Sequence, residues 1–173
     1  MTVASENAMF AASLLEKAEK LIEHSRARGL MLVTAESCTG GLVAGLLTSI
    51  PGSSDVFERG FVTYSNRAKE DDLGVDAAIL AAAGAVSAET ARAMAEGALA
   101  HAQAQIALSV TGIAGPGGGS AAKPVGLVYF GCGSRGAVRV EERRFGDIGR
   151  TEVRLASVAV ALDLLYAAVE SFA

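Results

Sequence analysis

Met31-Leu32-Val33-Thr34-Ala35-Glu36-Ser37-Cys38-Thr39-Gly40-Gly41 runs directly into Leu42, Val43, Leu46 and Leu47. The first four residues are a short apolar run of the kind that forms a buried strand. The glycine pair permits a tight turn, and the apolar residues after it return at helical spacing. Strand, polar turn and helix in that order make the unit from which α/β sheets are assembled. Upstream, Phe10, Leu14, Leu15, Ala18, Leu21 and Ile22 recur among charged residues, predicting an amphipathic helix from Glu6 to about Arg28 that ends at Gly29.

Downstream, Pro51-Gly52-Ser53-Ser54 breaks the chain, and Phe57 to Tyr64 alternates as a second strand. Short helices are expected over Asn66 to Leu73 and over Asp76 to Ala83, the latter closed by Gly84. Ser87, with Glu89 and Thr90 behind it, is the expected N-cap of a helix to about Gln103. Ile106 to Val110 is a third strand. Val125 to Cys132 and Ala137 to Phe145 are two more, joined by the hairpin signal Gly133-Ser134-Arg135-Gly136. A last helix spans about Gly149 to Phe172; it is apolar nearly all round from Leu155 to Val169, which predicts deep burial or a subunit contact and leaves a homo-oligomer open. The pattern predicts a three-layer α/β/α sandwich around a mixed, mostly parallel sheet of about five strands.

A length of 173 residues fits one domain, and with 51% hydrophobic against 20% charged residues a compact core is expected rather than disorder. The net charge of −4 argues against a broad nucleic-acid or acidic-membrane surface. An anionic small molecule stays compatible, because a nest of backbone N–H groups binds phosphate without global positive charge. Cys38 and Cys132 read as free thiols. Glu16, Lys17, Glu19 and Lys20 interrupt any signal-peptide core, no apolar run reaches membrane length, and the cytoplasm is the expected compartment. No His-rich or Cys-rich cluster stands at metal spacing, so neither metal nor cofactor is expected.

Two loops follow strands at their carboxyl ends, where open α/β sheets bind ligands. In the first, Ser37 would place a hydroxyl beside a helix N-terminus, although Ser37 and Thr39 could equally serve only as caps. The second, Gly112 to Ser120, fits neither a Walker A nor a dinucleotide fingerprint, since Lys123 follows Ala122 and Ser120 stands where the last glycine belongs. A phosphate nest and a flexible turn both remain open for it. Ser120-Ala121-Ala122-Lys123 matches Ser-x-x-Lys, but Gly117 to Gly119 before it and Pro124 after it deny the helix that motif needs, so the match reads as chance. His24 and His101 lie in amphipathic helices, in packing or surface roles. A serine nucleophile would then need another activator, and Lys69 or Tyr64 could supply it. Cys38, beside a helix N-terminus that can lower a thiol pKa, is the rival nucleophile.

Thr34 to Gly41 and Phe57-Glu58-Arg59-Gly60-Phe61-Val62-Thr63-Tyr64-Ser65-Asn66 resemble the two signature blocks of the CinA C-terminal domain family. Gly84-Ala85-Val86-Ser87, Thr111-Gly112-Ile113-Ala114-Gly115-Pro116 and Lys123-Pro124-Val125-Gly126 continue the pattern in order. The resemblance spans roughly Arg28 to Leu165. It implies a nicotinamide-nucleotide amidohydrolase resembling the stand-alone form rather than the larger relatives with an added N-terminal domain. Ser37 then matches the proposed nucleophile, Lys69 the lysine that assists it, and Tyr64 a tyrosine at the site. Thr39, Gly40, Gly41, Thr111, Gly112, Gly115, Gly118, Ser120 and Arg150 become the expected contacts of a small nucleotide substrate. The chain departs from the family's Gly-Asp-Arg before the last helix, reading Gly146-Asp147-Ile148-Gly149-Arg150, and an insertion of two residues would restore Arg150 and Arg154 to their family places.

Hydrolysis of a carboxamide needs an activated nucleophile and a place for the negative oxygen, for which the helix N-terminus after Thr39 is a candidate. Lys69 can act as base only when burial or nearby positive charge keeps it neutral. Without the resemblance, its neighbours Glu70, Asp71 and Asp72 suggest a solvated helix. Ser37, Tyr64 and the Gly112–Ser120 loop are expected to converge. A nucleotide-binding regulatory domain without turnover is the alternative.

Overall fold

Every residue of β1 (Leu32–Glu36) is buried, because the strand has a neighbour on each edge and helices over each face. Its edges pair in parallel with β2 (Phe57–Val62) and β3 (Ile106–Gly112). The computed structural model describes residues 9–173. Around the strands stand α1 (Ala12–Ala27), α2 (Leu42–Thr48), α3 (Asn66–Leu73), α4 (Ala77–Ala83), α5 (Ala88–His101) and α6 (Arg150–Ser171). The expected start of the first helix at Glu6 lies outside the described residues. Within them the helix begins at Ala12, after Ala11 in extended conformation.

The sheet order is β2-β1-β3-β4-β5, with β4 (Leu127–Ser134) and β5 (Ala137–Arg144) completing five strands. The β3–β4 and β4–β5 pairs are antiparallel, so the sheet is half parallel and half antiparallel. The expectation of a mostly parallel sheet is corrected on this point. The physical reason lies in the connection from β3: the glycine-rich segment holds no helix to carry a crossover, so the chain turns back beside β3. The hairpin closes through Arg135 and Gly136, with Ser134 opposite Ala137.

One face of the sheet carries α1, α2 and α6 over a core that includes Leu32, Leu108, Val128 and Phe130. The other face carries α5, with Val33, Ala35 and Ala107 beneath Met94, Ala95 and Ala98. The final helix buries one stripe, Val153, Val158, Ala161, Leu162, Leu165 and Val169, within the chain, while Leu155, Val160 and Leu164 are half-buried and Tyr166 is exposed. No helix among the described residues is long and apolar enough to cross a membrane.

Two packing details place the residues of the site. Ala35 and Glu36 continue β1 by pairing with Phe61 and Val62 on one side and Ser109 and Val110 on the other. The strand therefore delivers Ser37 at the carboxyl edge, two residues later than the apolar run suggested. Helix α3 sits tight on α5 because Gly97 lacks a side chain: a Cβ there would collide with the Leu73 carbonyl. Ser65 caps α3 by accepting the Ala68 N–H at 3.0 Å.

Candidate active site

Ser37 follows β1 directly, and its N–H donates to the Val110 carbonyl of β3 at 2.9 Å. The side chain is buried at 8% exposure. Facing it is Lys69 of α3, fully buried, with Nζ 3.0 Å from Ser37 Oγ, 2.8 Å from the Thr63 carbonyl and 3.3 Å from the Tyr64 carbonyl. None of these three partners is a carboxylate. Burial pushes the Lys69 amine down from 10.5 to about 8, with the Cys38 thiol pulling weakly the other way. When neutral, the amine has two N–H bonds and one lone pair. The carbonyls can only accept, so the two N–H groups go to Thr63 and Tyr64 and the lone pair is left for the Ser37 hydroxyl. That arrangement is a serine with a base already in hydrogen-bond reach.

Cys38, one residue on, points into the apolar core instead and is 6% exposed. Burial pushes its thiol up to about 12, and Glu36 adds to the rise while Arg154 and Lys69 oppose it. The expectation that a helix N-terminus would activate Cys38 is overturned. Burial is the first reason, and the second is Glu36, whose buried carboxylate already occupies that N-terminus. It accepts the N–H groups of Gly41 at 3.2 Å, Val43 at 3.1 Å and Ala44 at 2.9 Å. The same plug removes the start of α2 as a place for a developing oxyanion. Both cysteines are free, as their surroundings in the sequence suggested.

The other expected residues fall into distinct settings. Tyr64 is 60% exposed, and its hydroxyl meets Arg150 Nη2 at 2.9 Å rather than Ser37. Arg150 also donates from Nη1 to the Gly115 carbonyl at 2.8 Å, so it ties the tyrosine to the glycine-rich loop despite the altered segment before α6. Ser37, Lys69, Tyr64, Arg150 and Gly115 are thus linked contact by contact. Thr111 is buried, and its hydroxyl donates to the Ala85 carbonyl at 2.7 Å. Gly112 ends β3 where a Cβ would strike Val128 and the Leu127 carbonyl. Gly40 and the stretch from Pro116 to Ser120, Gly118 included, are open to solvent, Gly41 is half-buried, and Thr39 is buried with no partner for its hydroxyl among the described residues. Ser120 closes a turn by accepting the Lys123 N–H at 3.0 Å, while Lys123 Nζ reaches the Ala83 carbonyl at 2.6 Å. The lysine points away from Ser120, in keeping with a chance Ser-x-x-Lys match.

One residue that shapes the site, Glu36, was not singled out in the sequence. Glu36 carried a signal, since an acid at the end of an otherwise apolar strand must find partners if it is buried. Arg154 of α6 is marked in the sequence only by the family pattern before the last helix, with nothing to say what it touches. It donates from Nε to the Cys38 carbonyl at 3.0 Å and from Nη2 to the Thr39 carbonyl at 3.2 Å. A groove of about 590 Å³ between the end of α6 and the β4–β5 hairpin lies at the opposite end of the strands. Among the described residues, no three His, Cys, Asp or Glu side chains gather as a metal site.

Residues 14–169 match the CinA C-terminal domain. A CinA-like protein of Syntrophobacter fumaroxidans is 52% identical over 149 residues, covering 86% of this chain and 35% of the relative. One from Geobacter sulfurreducens is 52% identical over 140 residues, covering 81% and 34%. The chain thus spans about a third of the length of these curated relatives. Among solved structures, the competence/damage inducible protein CihA from Agrobacterium tumefaciens superposes with a TM-score of 0.92 at 54% identity, over 95% of this chain and 100% of that one. The competence damage-inducible protein A (ComA) from Klebsiella pneumoniae gives 0.88 at 35% identity, over 92% and 99%.

Proposed function

The chain belongs to the CinA C-terminal domain family, and from that membership together with the Ser37–Lys69 pair we propose that it hydrolyses the carboxamide of nicotinamide mononucleotide to nicotinate mononucleotide and ammonia. The observation that carries the proposal is the buried amine 3.0 Å from Ser37 Oγ, where burial favours its neutral form. Ser37 Oγ attacks the carboxamide carbon as Lys69 Nζ takes the hydroxyl proton. Collapse of the tetrahedral intermediate breaks the C–N bond, and the leaving nitrogen receives that proton from Lys69 and departs as ammonia. Water then attacks the acyl-serine ester, Lys69 again takes a proton, and Ser37 recovers it as the acid is released.

The substrate class rests on the family resemblance and on charge. Arg150 stands beside the glycine-rich loop, where Pro116 to Ser120 are exposed and available to a phosphate. The pyridinium of a mononucleotide withdraws electrons from the amide carbon and eases attack. Ammonia release tests the reading. The wild-type protein is expected to release ammonia from the mononucleotide far faster than from free nicotinamide, because the phosphate's binding energy orients the reacting amide. Tight nucleotide binding with no ammonia would favour a regulatory domain, and equal rates on both compounds would remove the phosphate's role.

A further inference from the structure

The backbone N–H groups from Ser37 to Gly45 can be followed one by one, since each must go to an acceptor or to a ligand. Gly40 donates to the Ser37 carbonyl at 3.0 Å, Leu42 to the Thr39 carbonyl at 3.1 Å and Gly45 to the Gly41 carbonyl at 2.8 Å. Gly41, Val43 and Ala44 are held by Glu36. Among the described residues the Cys38 and Thr39 N–H groups have no protein acceptor, and the turn selects between them. The Ser37–Gly40 hydrogen bond makes a β-turn with Ser37 in its first position. In such turns the N–H two residues on lies on the side of the first residue's side chain.

Arg154 fixes the same peptide from behind. Its Nε holds the Cys38 carbonyl at 3.0 Å. In a planar trans peptide, the N–H opposes the carbonyl, so the Thr39 N–H is directed away from the guanidinium. Nη2 holds the next carbonyl, that of Thr39, at 3.2 Å. Resting on the Ser–Lys reading above, we propose that Arg154 is a positioning residue for the reaction: it aims the Thr39 N–H at the oxygen that becomes negative when Ser37 attacks the carboxamide. With α2 plugged by Glu36, this N–H takes the place that a helix N-terminus would otherwise fill.

The test uses the whole chain as wild type, Arg154→Ala and Arg154→Lys, with two readouts. The first is ammonia release from nicotinamide mononucleotide. The second is phosphonylation of Ser37 by a fluorophosphonate, which builds a tetrahedral centre on the serine without any amide substrate. Removing one oxyanion donor costs about a hundredfold or more in kcat. Arg154→Ala is therefore expected to lose about a hundredfold in kcat with KM within about twofold, to label correspondingly more slowly, and to recover in part when guanidinium ion is added. Arg154→Lys, which cannot hold both carbonyls, falls between and serves if the alanine variant does not fold. A raised KM with unchanged kcat would make Arg154 a substrate-anion contact and overturn the proposal, as would unchanged labelling. If wild type neither releases ammonia nor labels, the Ser–Lys reading itself fails. Labelling of the wild type with unchanged rates in both variants sinks only the role of Arg154.

Discussion

Two loops leave the same edge of the sheet and are built on opposite plans. From Ser37 to Gly41 the chain is pinned from three sides: by Lys69 at the serine, by Arg154 on two carbonyls and by Glu36 on the helix behind it. From Pro116 to Ser120 the chain is exposed, and Arg150 on the Gly115 carbonyl is the side-chain anchor at its start. Bond making requires atoms held within fractions of an ångström, whereas a phosphate can be met by adjustable backbone. On the proposed function the first loop would carry the chemistry and the second the affinity, and substitutions can separate the two.

The largest effect belongs to the pinned loop. Ser37→Ala is expected to lower turnover by roughly a thousandfold or more, about 4 kcal/mol of barrier, while leaving nucleotide binding nearly intact. Single-turnover ammonia release and calorimetric binding check both halves, and full activity in the variant would remove the covalent mechanism. In the open loop, Ser120→Asp should weaken binding of the mononucleotide by about tenfold by setting a negative charge against an anion, with kcat little changed. A fall in kcat alone would erase the division between the loops.

Lys69 ties activity to stability. Its folded-state pKa of about 8 lies below the unfolded value near 10.5, so between these pH values the unfolded chain binds a proton that the folded chain has released. Stability from this group therefore rises with pH across that window and is lowest below pH 8. Relative to Lys69→Met, which has no such proton, the wild type should gain about 3 kcal/mol between pH 7 and pH 10.5, read from urea unfolding at each pH. A constant difference would mean that Lys69 is not shifted. The smallest effect is expected at the neighbouring thiol: Cys38→Ala should keep activity within about threefold, since a thiol pushed to about 12 carries almost no thiolate at neutral pH. A loss equal to that of Ser37→Ala would move the nucleophile to sulfur. Prolonged chelation should change nothing measurable.

Much of this was legible in the sequence, and the rest was hidden for identifiable reasons. Helical periodicity and the cap at Ser87 marked the helices well, with Ser87 accepting the Thr90 N–H as its sequence position suggested, while the caps at Ser65 and Asp76 emerge only in the structure. The balance of the sheet was misjudged because alternation of helix and strand fades after β3, and only the glycine-rich connection betrays the reversal. Ala35 and Glu36 read as loop because a polar residue ends an apolar run, yet pairing on both edges carries the strand through them. Lys69 reads as solvated among Glu70, Asp71 and Asp72; its burial comes from the docking of α3, which no local pattern contains. The residues alone named Lys69 only as one of two possible activators, and the family resemblance favoured it. Arg154 is 117 residues from Ser37 in the chain, and its meeting with the Cys38 and Thr39 carbonyls is set by the packing of α6 alone.

The account turns on a neutral lysine beside Ser37, and the pH dependence of kcat/KM for ammonia release from nicotinamide mononucleotide between pH 6 and 10 tests it most directly. Only the neutral amine can take the serine proton, so the rate should climb about tenfold per pH unit and level off above an apparent pKa near 8. Lys69→Met should lie close to the floor at every pH. A flat profile, or one that survives in Lys69→Met, would contradict it.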